Sequence, residues 1–269
     1  MSYDESAVRG AFNRAAETFD DVAINNPINS WMREASRREI RSTFPSGSAL
    51  VEIGCGTGAD AVFLAEQGYR VAALDISERM VEIARVRVAA HDLEESVVVR
   101  RGRLIELEDV LSEEPWSPFD GAYANFSLGY EESIREIGAT LSRLIKPGAR
   151  FVFTLPNRLC ISEPSLALAR LRIPEVFGRL SESWVVTLRG SSVRVHAYTP
   201  IQVRRILAGL FEIEATTGVP VFMPPPSYYD PSFEWVRACL ERLDNHLSPR
   251  FPWRILGETT MFRARKVAE

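Results

Sequence analysis

The sequence contains few of the residues that form disulfides or bind metals. Its three cysteines, Cys55, Cys160 and Cys239, are odd in number and far apart, so neither a disulfide framework nor a zinc-binding spacing is available. Its three histidines are scattered and predict no metal site. Lysine occurs only at Lys146 and Lys266, which we interpret as a compositional bias towards arginine rather than a binding feature.

Long apolar runs and an excess of positive charge are also missing. No run of about 18 apolar residues, as a membrane-spanning helix requires, is present. The segment Met1–Glu5 carries acids and no apolar stretch, so we expect neither a signal peptide nor a membrane anchor, and a cytoplasmic location. The net charge of −4 and the pI of about 5.6 lack the basic signature of a nucleic-acid-binding protein, which favours a small-molecule partner. The oligomeric state is not predicted.

A glycine-rich turn between a strand and a helix is the most informative feature. The run Ala49–Ile53 predicts a strand and Ala61–Ala65 predicts a helix. The turn between them contains three glycines, Gly54, Gly56 and Gly58. Glycine lets a ligand approach the backbone closely, and a helix amino terminus offers free N–H groups. The next predicted strand, Arg70–Leu74, is followed by Asp75, which can accept hydrogen bonds from two ribose hydroxyls, so this region predicts a nucleoside site.

The turn fits more than one nucleoside cofactor. Gly54, Gly56 and Ala59 satisfy the dinucleotide pattern G-x-G-x-x-[GA], with Asp75 about 20 residues further on. The carboxylate of Asp75 disfavours a 2′-phosphate and so argues against NADP. The same segment also satisfies E-x-G-C-G-T-G, which adds Glu52 and a third glycine. The first pattern predicts an NAD site, and the second points to a different cofactor.

Through the second pattern, the segment Glu52–Gly58 strongly resembles the class I S-adenosylmethionine-dependent methyltransferases. The resemblance extends, in order and at the family's spacing, to Asp75-Ile76-Ser77-x-x-Met80, Phe119-Asp120-Gly121-Ala122 and Leu144-x-Lys146-Pro147-Gly148-Ala149. It covers residues 49 to about 155 and implies S-adenosylmethionine as cofactor and S-adenosylhomocysteine as product. Residues 12–20 bear a looser resemblance to small-molecule methyltransferases that begin with Phe-x-x-x-Ala-x-x-[Phe/Tyr]-Asp.

Strand and helix patterns alternate along the chain and predict an α/β fold with a doubly wound, parallel sheet. Seven strands are predicted: Ala49–Ile53, Arg70–Leu74, Val97–Arg100, Gly121–Asn125, Phe151–Leu155, Phe211–Thr217 and Glu258–Arg265. The resemblance implies a Rossmann-like, mostly parallel sheet with the last strand antiparallel beside the fifth. Helices are predicted before residue 45, after Ser77, from Glu131 to Lys146-Pro147-Gly148, from Pro200 to Leu210 and from Phe233 to His246.

We predict one methyltransferase domain over residues 1–269, made of four parts. They are an N-terminal helical lid at 1–45, a cofactor-binding core at 46–156, an inserted substrate cap at 157–198 and the C-terminal part of the core at 199–269. The last part contains a substrate loop at 219–232, rich in proline and tyrosine. Because such sheets bind ligands at the carboxyl ends of their strands, we expect the lid, cap and loop to form a substrate chamber there.

The resemblance also implies which residues contact the cofactor. In the matching blocks and just after them these are Glu52, Gly54, Cys55, Gly56, Gly58, Asp75, Ile76, Met80, Arg103, Leu104, Asn125 and Phe126. Phe19 is expected to fold over the cofactor. Arg33 is expected to reach the methionine carboxylate, with a solvated helix face as the alternative. Arg103 stands where many relatives hold the adenine amino group with an acid, so the backbone, Ile76 or another residue must hold adenine here.

Methyl transfer from a sulfonium is an in-line displacement, which mainly requires the nucleophile to be held behind the methyl group. Holding reacting atoms about 3–3.5 Å apart contributes roughly 7–11 kcal/mol, and a base is needed only for a nucleophile whose proton has a high pKa. His196 is the candidate base, since strand alternation puts it with Arg194 and Tyr198 on a face that either lines the chamber or is solvated. Four aromatic residues are predicted either to bind substrate or to pack the cap: Tyr198, Phe222, Tyr228 and Tyr229.

The predicted function is therefore S-adenosylmethionine-dependent transfer of a methyl group, without a metal, to oxygen, nitrogen or carbon of a small, partly apolar metabolite. The identity of the acceptor and the use of a base are left open. An NAD-dependent oxidoreductase is one alternative, but it would need a Tyr-x-x-x-Lys pair or a His/Asp relay, and neither lysine is so placed. A non-catalytic nucleoside-binding module is the other alternative, and the intact glycine turn argues against it.

Overall fold

The structure consists of a central sheet, a small hairpin and flanking helices. The computed structural model describes residues 5–21, 25–169, 181–188, 190–231 and 234–267. The strands are β1 (Ala49–Ile53), β2 (Arg70–Asp75), β3 (Val97–Arg101), β4 (Phe119–Ala124), β5 (Ile145–Pro156), β6 (Ser183–Leu188), β7 (Ser191–His196), β8 (Phe211–Val219) and β9 (Thr259–Lys266). The helices are α1 (Glu5–Ala15), α2 (Pro27–Thr43), α3 (Ala59–Ala65), α4 (Glu78–Ala90), α5 (Leu107–Leu111), α6 (Ile134–Leu144), α7 (Ser162–Ala169), α8 (Pro200–Ile206) and α9 (Glu234–Leu247).

The central sheet has seven strands in the order β3-β2-β1-β4-β5-β9-β8. Strands β1 to β5 pair in parallel, whereas β9 runs antiparallel to both β5 and β8. This confirms the predicted Rossmann-like sheet and its antiparallel last strand. The order reverses between β1 and β4, and open α/β sheets bind ligands at the carboxyl ends of the strands beside such a reversal. Strands β6 and β7 form a separate antiparallel hairpin.

Two apolar layers cover the two faces of the sheet, which is why all five residues of β1 are buried. On one face, Leu141 of α6 shares a buried cluster with Phe151 and Phe153, whose rings stack 4.5 Å apart between centroids. On the other face, Ile40 of α2 shares a cluster with Tyr123 of β4. The loops at the carboxyl edge therefore start from strands that are fixed on both sides.

Several element boundaries differ from the predicted ones, among them the carboxyl-terminal ends of two helices. Helix α6 ends at Leu144, before the Lys146-Pro147-Gly148 segment, because the buried Ile145 already pairs with Phe119 as the first residue of β5. The helix expected to run to Leu210 ends at Ile206, since the chain turns before β8. Both differences shift element ends and leave the predicted sheet unchanged.

The predicted lid, cap and substrate loop are described in part. Helices α1 and α2 belong to the lid, and α7 with the β6–β7 hairpin belongs to the cap. Residues 1–4, 22–24, 170–180, 189 and 232 of these segments lie outside the described residues. Within the described ranges, no helix is both long enough and apolar enough to cross a membrane.

Candidate active site

A cavity of about 680 Å³, here called the first cavity, lies at the carboxyl ends of β1, β2 and β4. It brings together all but two of the residues predicted to bind the cofactor: Phe19, Arg33, Glu52, Gly54, Cys55, Gly56, Asp75, Ile76, Met80, Leu104, Asn125 and Phe126. The two exceptions are Gly58 and Arg103.

The glycine turn uses backbone conformations that favour glycine. Gly54, Gly56 and Gly58 have φ angles of 74°, 53° and 78°. A Cβ atom at Gly54 would lie 2.3 Å from Cβ of Ser127, so the turn leaves no room for a side chain there. A Cβ atom at Gly58 would lie 3.0 Å from Cβ of Ala84, which indicates that Gly58 packs the start of α3 against α4 rather than lining the cavity.

Asp75 is held at the end of β2 by two backbone donors. The N–H of Gly56 donates to Oδ2 and the N–H of Ser77 donates to Oδ1, each with 2.8 Å between heavy atoms. Burial raises the pKa of Asp75 above its usual value, although these hydrogen bonds oppose the shift. A carboxylate has about four acceptor positions, so the fixed group can still accept hydrogen bonds from ligand hydroxyls.

The side of the cavity next to β3 is apolar. Ile76, Met80 and Leu104 line it. Arg103, at the position where the resemblance led us to look for an adenine contact, lies outside the first cavity. Its Nε atom is 2.7 Å from a carboxylate oxygen of Glu5, so α1 holds this side chain.

A buried carboxylate that the sequence analysis did not identify organises the opposite side. Asp60, in the first turn of α3, accepts hydrogen bonds from Arg33, from Nε of Arg37 at 2.7 Å and from Nδ2 of Asn125 at 2.9 Å. Burial alone would raise the pKa of Asp60, but the two guanidinium groups and the amide lower it below its usual value. Arg33 and Asn125 therefore meet the cavity in fixed positions, and Arg33, with a side chain 14% exposed, does not lie on a solvated face.

Glu52 is the least satisfied polar side chain of the first cavity. It is only 2% exposed, and burial together with the nearby Asp60 raises the pKa of Glu52 well above its usual range. Among the described residues, its buried Oε2 atom has no hydrogen-bond partner of good geometry, and the neighbouring hydroxyl of Tyr123 acts to lower the pKa of Glu52. An unpaired buried acceptor costs roughly 1–3 kcal/mol. A ligand that brings a donor here, above all an ammonium group, would remove this cost.

The segment after α1 is fastened over the glycine turn. Oδ1 of Asp20 accepts a hydrogen bond from Oγ1 of Thr57 at 2.6 Å, and Asp20 also pairs with Arg87 of α4. The ring of Phe19 covers the turn, since an ideal Cβ atom at Gly56 would lie 3.7 Å from it. The N-terminal segment thus closes one wall of the first cavity, and the ring of Phe19 is part of that wall.

A second, larger cavity of about 1,240 Å³ adjoins the first. Five residues line both cavities: Phe12, Phe19, Arg33, Phe126 and Tyr130. Further apolar walls come from α2, the end of β5 and the β6–β7 hairpin, and include Met32, Pro156, Trp184, Val186, Leu188 and Val195. Glu163, Glu258 and Thr259 supply polar groups. Ligands in the two cavities would meet across a mainly aromatic junction.

The four aromatic residues predicted to contact the substrate lie outside the lining of both cavities: Tyr198, Phe222, Tyr228 and Tyr229. Phe222 packs on Trp253 with 4.9 Å between ring centroids. Tyr229 donates a hydrogen bond to Glu234 at 3.1 Å. The substrate loop instead contributes Pro226 to the second cavity.

His196 also lies outside both cavities. Trp184 pairs with Val195 across the hairpin, and both line the second cavity. Because side chains alternate along a strand, His196 lies on the other face of β7 with Arg194. Burial and the charge of Arg194 lower the pKa of His196. The predicted alternation is observed, but the cavity is on the Val195 face.

Several lining residues of the first cavity were missed by the sequence analysis: Val8, Phe12, Asp60, Ser127, Tyr130 and Glu131. Phe12 begins the N-terminal motif but was given no role. The sequence does show Asp60 as an acid in the first turn of a predicted helix. Such an acid is equally typical of ordinary helix stabilisation, so it did not indicate a site. Tyr130 and Glu131 come from the turn after β4, whose path across the cavity no local pattern predicts.

Comparisons with known proteins identify the family. The family described as a methyltransferase domain matches residues 28–195. A demethylmenaquinone methyltransferase from Symbiobacterium thermophilum is 31% identical over 154 residues, which cover 55% of this chain and 58% of that protein. An S-adenosyl-L-methionine-dependent Diels-Alderase from Talaromyces variabilis is 36% identical over 134 residues, which cover 49% of this chain and 44% of that protein.

Solved structures share the fold. The Burkholderia thailandensis 1,6-didemethyltoxoflavin-N1-methyltransferase, solved with 1,6-didemethyltoxoflavin and S-adenosylhomocysteine, has a TM-score of 0.62 at 17% identity, with coverage of 97% of this chain and 88% of that chain. The chain spans about half the length of the curated relatives it matches, 58% and 44%. Since the family match covers more than half of the chain and the sheet and glycine turn agree with it, this chain belongs to the S-adenosylmethionine-dependent methyltransferase family.

Proposed function

We propose that this protein transfers the methyl group of S-adenosylmethionine to oxygen, nitrogen or carbon of a small, partly apolar metabolite. The observation that carries the proposal is the junction of the two cavities, which share five lining residues. A methyl donor and an acceptor must approach to about 3–3.5 Å, and adjoining sites make this approach possible.

Side chains of the first cavity fit the polar groups of this cofactor. The carboxylate of Asp75 would accept hydrogen bonds from the ribose hydroxyls, and Arg33 would face the carboxylate of the methionine part. Oε2 of Glu52, buried without a partner among the described residues, would accept a hydrogen bond from the ammonium group. When bound, the sulfonium supplies an activated methyl group and a good leaving group.

The second cavity would hold the acceptor by shape and apolar contact. Trp184 and Phe126 offer faces on which a flat or apolar molecule can pack, and Glu163 and Glu258 can orient a donor group. The aromatic junction would exclude water from the transfer. In this proposal the protein acts mainly by positioning, and His196 takes part only if β7 rearranges.

A second candidate is a reaction of one bound molecule that needs the cofactor but transfers no methyl group. It is favoured by the 36% identity to the protein named as an S-adenosyl-L-methionine-dependent Diels-Alderase and by the largely apolar second cavity. The two candidates predict different products: a product that carries one more methyl group than its substrate, or an isomer of the substrate.

The test begins with calorimetric titration of the purified protein with S-adenosylmethionine, S-adenosylhomocysteine and NAD. We expect the two sulfur nucleosides to bind and NAD to give no signal. A metabolite screen with S-adenosylmethionine carrying a labelled methyl group then identifies the acceptor by mass spectrometry. Binding of NAD alone would contradict the proposal, and an isomerised, unlabelled product would favour the second candidate.

A further inference from the structure

Helix α9 buries very little of its own surface. Of its 14 residues only Asp244 is buried, and this carboxylate accepts hydrogen bonds from the N–H groups of Val221, Phe222 and Met223. Most helices in proteins owe their stability to the packing of an apolar face. One side of α9 is therefore held mainly through a carboxylate, and the apolar residues of its other side remain to be explained.

The outer side of α9 carries an apolar stripe. Trp235, Cys239 and Leu243 recur every four residues, so they lie on one face of the helix. Trp235 is 82% exposed, Leu243 is 43% exposed and Cys239 is exposed as well. Single apolar residues on a surface are ordinary, but a row of them along one helix face indicates an interaction site.

The charges of α9 differ between its two ends. Glu234 and Glu241 both pair with Arg237, which leaves the first two turns with a net negative charge. Arg242 forms no ion pair with any described residue, and His246 lies in the last turn. A second α9 that runs antiparallel would bring the acidic start of one helix to the basic end of the other. Charge complementarity therefore favours a second copy of this chain, in the antiparallel direction.

The stripe is also symmetric about Cys239. Trp235 lies four residues before it and Leu243 four residues after it. With a twofold axis at Cys239, Trp235 of each copy would meet Leu243 of the other, as a self-complementary interface requires. Helices pack with about 8–10 Å between their axes and have Cα atoms about 2.3 Å from the axis, so the two Cys239 Cα atoms would be roughly 5 Å apart.

We propose that two copies of this chain associate through α9, antiparallel about a twofold axis at Cys239. A specific interface buries about 1,000 Å² or more in total, and an aromatic side chain contributes about 150–250 Å². The two Trp235 side chains alone would therefore supply roughly a third to a half of that area. Leu243, Arg242 and, in the turn after the helix, the 73% exposed Phe251 can supply more. This inference does not depend on the proposed function.

The first test measures the association of the wild type, Trp235→Ala and Val86→Ala by light scattering across a range of concentrations. Val86, which is 70% exposed on α4, provides the matched control. We expect a species of twice the chain mass in the wild type and Val86→Ala. In Trp235→Ala the dissociation constant of the dimer should rise about tenfold or more, as for a central aromatic residue of an interface.

The cysteines test the position of the axis. Cys55 and Cys160 are buried and Cys239 is exposed, so a short bismaleimide should react at Cys239. We expect a covalent dimer in the wild type, less of it in Trp235→Ala and none in Cys239→Ser. Affinity for S-adenosylhomocysteine should be equal in all variants, so a failure to bind it would count against the proposed function and not against the dimer.

Three results would each overturn the inference. They are a wild type that stays monomeric at every concentration, a dimer that Trp235→Ala does not weaken, and a dimer that the bismaleimide does not link. The same face could instead bind a membrane surface. A monomer that sediments with phosphatidylglycerol vesicles, and loses this property in Trp235→Ala, would assign the face to that partner and overturn the dimer.

Discussion

The two cavities of this protein are built in different ways. The first is formed largely by residues at or just after the ends of parallel strands, such as Glu52, Asp75 and Asn125. The second gathers Met32 from α2, Trp184 from β6 and side chains near the start of β9. Neighbouring strands of a rigid sheet place the first set with little help from elsewhere. The second set depends on how distant segments pack, so the acceptor site can differ between proteins that share the cofactor site.

The cavities also differ in how their polar groups are fixed. In the first, Asp75 is held by two backbone N–H groups and Asp60 by two arginines and an amide. In the second, polar groups are spread along mainly apolar walls. The first cavity is thus prepared for a ligand with defined charges, and the second for a ligand recognised by shape.

The largest expected effect is at the glycine turn. A side chain at a left-handed position costs about 1–2 kcal/mol, and Gly54→Ala would add overpacking against Ser127, which costs roughly 1–3 kcal/mol more. We expect Gly54→Ala to abolish detectable binding of S-adenosylhomocysteine in calorimetry. Gly47→Ala is the matched control, since Gly47 has a φ angle of 88° but no atom within 4 Å of an ideal Cβ. The free energy of unfolding is measured in urea and the affinity for S-adenosylhomocysteine by calorimetry. If Gly47→Ala lowers both quantities as much as Gly54→Ala does, the packing argument is wrong.

A smaller effect, with opposite signs for affinity and stability, is expected for Glu52→Gln. Loss of a charged acceptor should weaken binding of S-adenosylmethionine about tenfold or more. The unliganded variant should be more stable than the wild type at neutral pH, because the raised pKa of Glu52 means that the fold disfavours its ionised form.

The pH dependence of this stability gain has a definite sign. Wild-type stability falls as pH rises from the unfolded pKa of glutamate, about 4.3, towards the raised pKa of Glu52, so the advantage of Glu52→Gln should grow over that range. Thermal unfolding at several pH values measures it, with the exposed Glu95→Gln as control. If Glu52→Gln binds S-adenosylmethionine as tightly as the wild type does, Glu52 does not contact the cofactor.

The next effect is expected at Trp184, where a substitution should change binding of the acceptor but not of the cofactor. Trp184→Ala removes an aromatic wall of the second cavity, and loss of such burial, worth about 1.5–3 kcal/mol, should raise KM for the acceptor found in the screen about tenfold or more. Affinity for S-adenosylhomocysteine should not change. Val185→Ala, on the opposite face of β6 where Val185 is 58% exposed, should leave both quantities unchanged. A fall in cofactor affinity for Trp184→Ala would show that the two cavities are not separable.

The smallest effect is expected at His196. Since it lies on the face of β7 away from the second cavity, His196→Gln should change methyl transfer by no more than about twofold at any pH. Rates measured across the pH range check this. A tenfold fall, with loss of a titration step in the pH profile, would restore the catalytic role predicted from the sequence.

Most residues that line the first cavity could be predicted from the sequence, because they lie in short segments whose local patterns are clear. The segment from Glu52 to Gly58 and the acid Asp75 each follow a strand whose apolar pattern is clear, and parallel strands bring such ends to one edge. Phe19 was identified from its motif. Asp60 was not, since a first-turn acid has an ordinary explanation in helix stabilisation.

The second cavity shows the opposite case. Alternation correctly grouped His196 with Arg194, but it could not say which face of the hairpin meets the cavity. That choice depends on the packing of the hairpin against α1, where Val8 and Val193 share a buried cluster. The tyrosines of the loop at 219–232 were expected to contact the substrate, but they do not line either cavity. Asp244 of α9 accepts hydrogen bonds from the N–H groups of Val221 and Met223 and thereby sets the course of the loop.

The sequence by itself determined the class of fold, the glycine turn and the acid that follows the second strand, because strand periodicity and glycine conformation are properties of short segments. Tertiary structure alone decided that Asp60 fixes Arg33, that Glu131 reaches the apolar side of the first cavity and that Trp184 rather than His196 lines the second. These outcomes depend on contacts between segments far apart in the chain. The free energy that selects them comes from burial and charge pairing in the assembled protein.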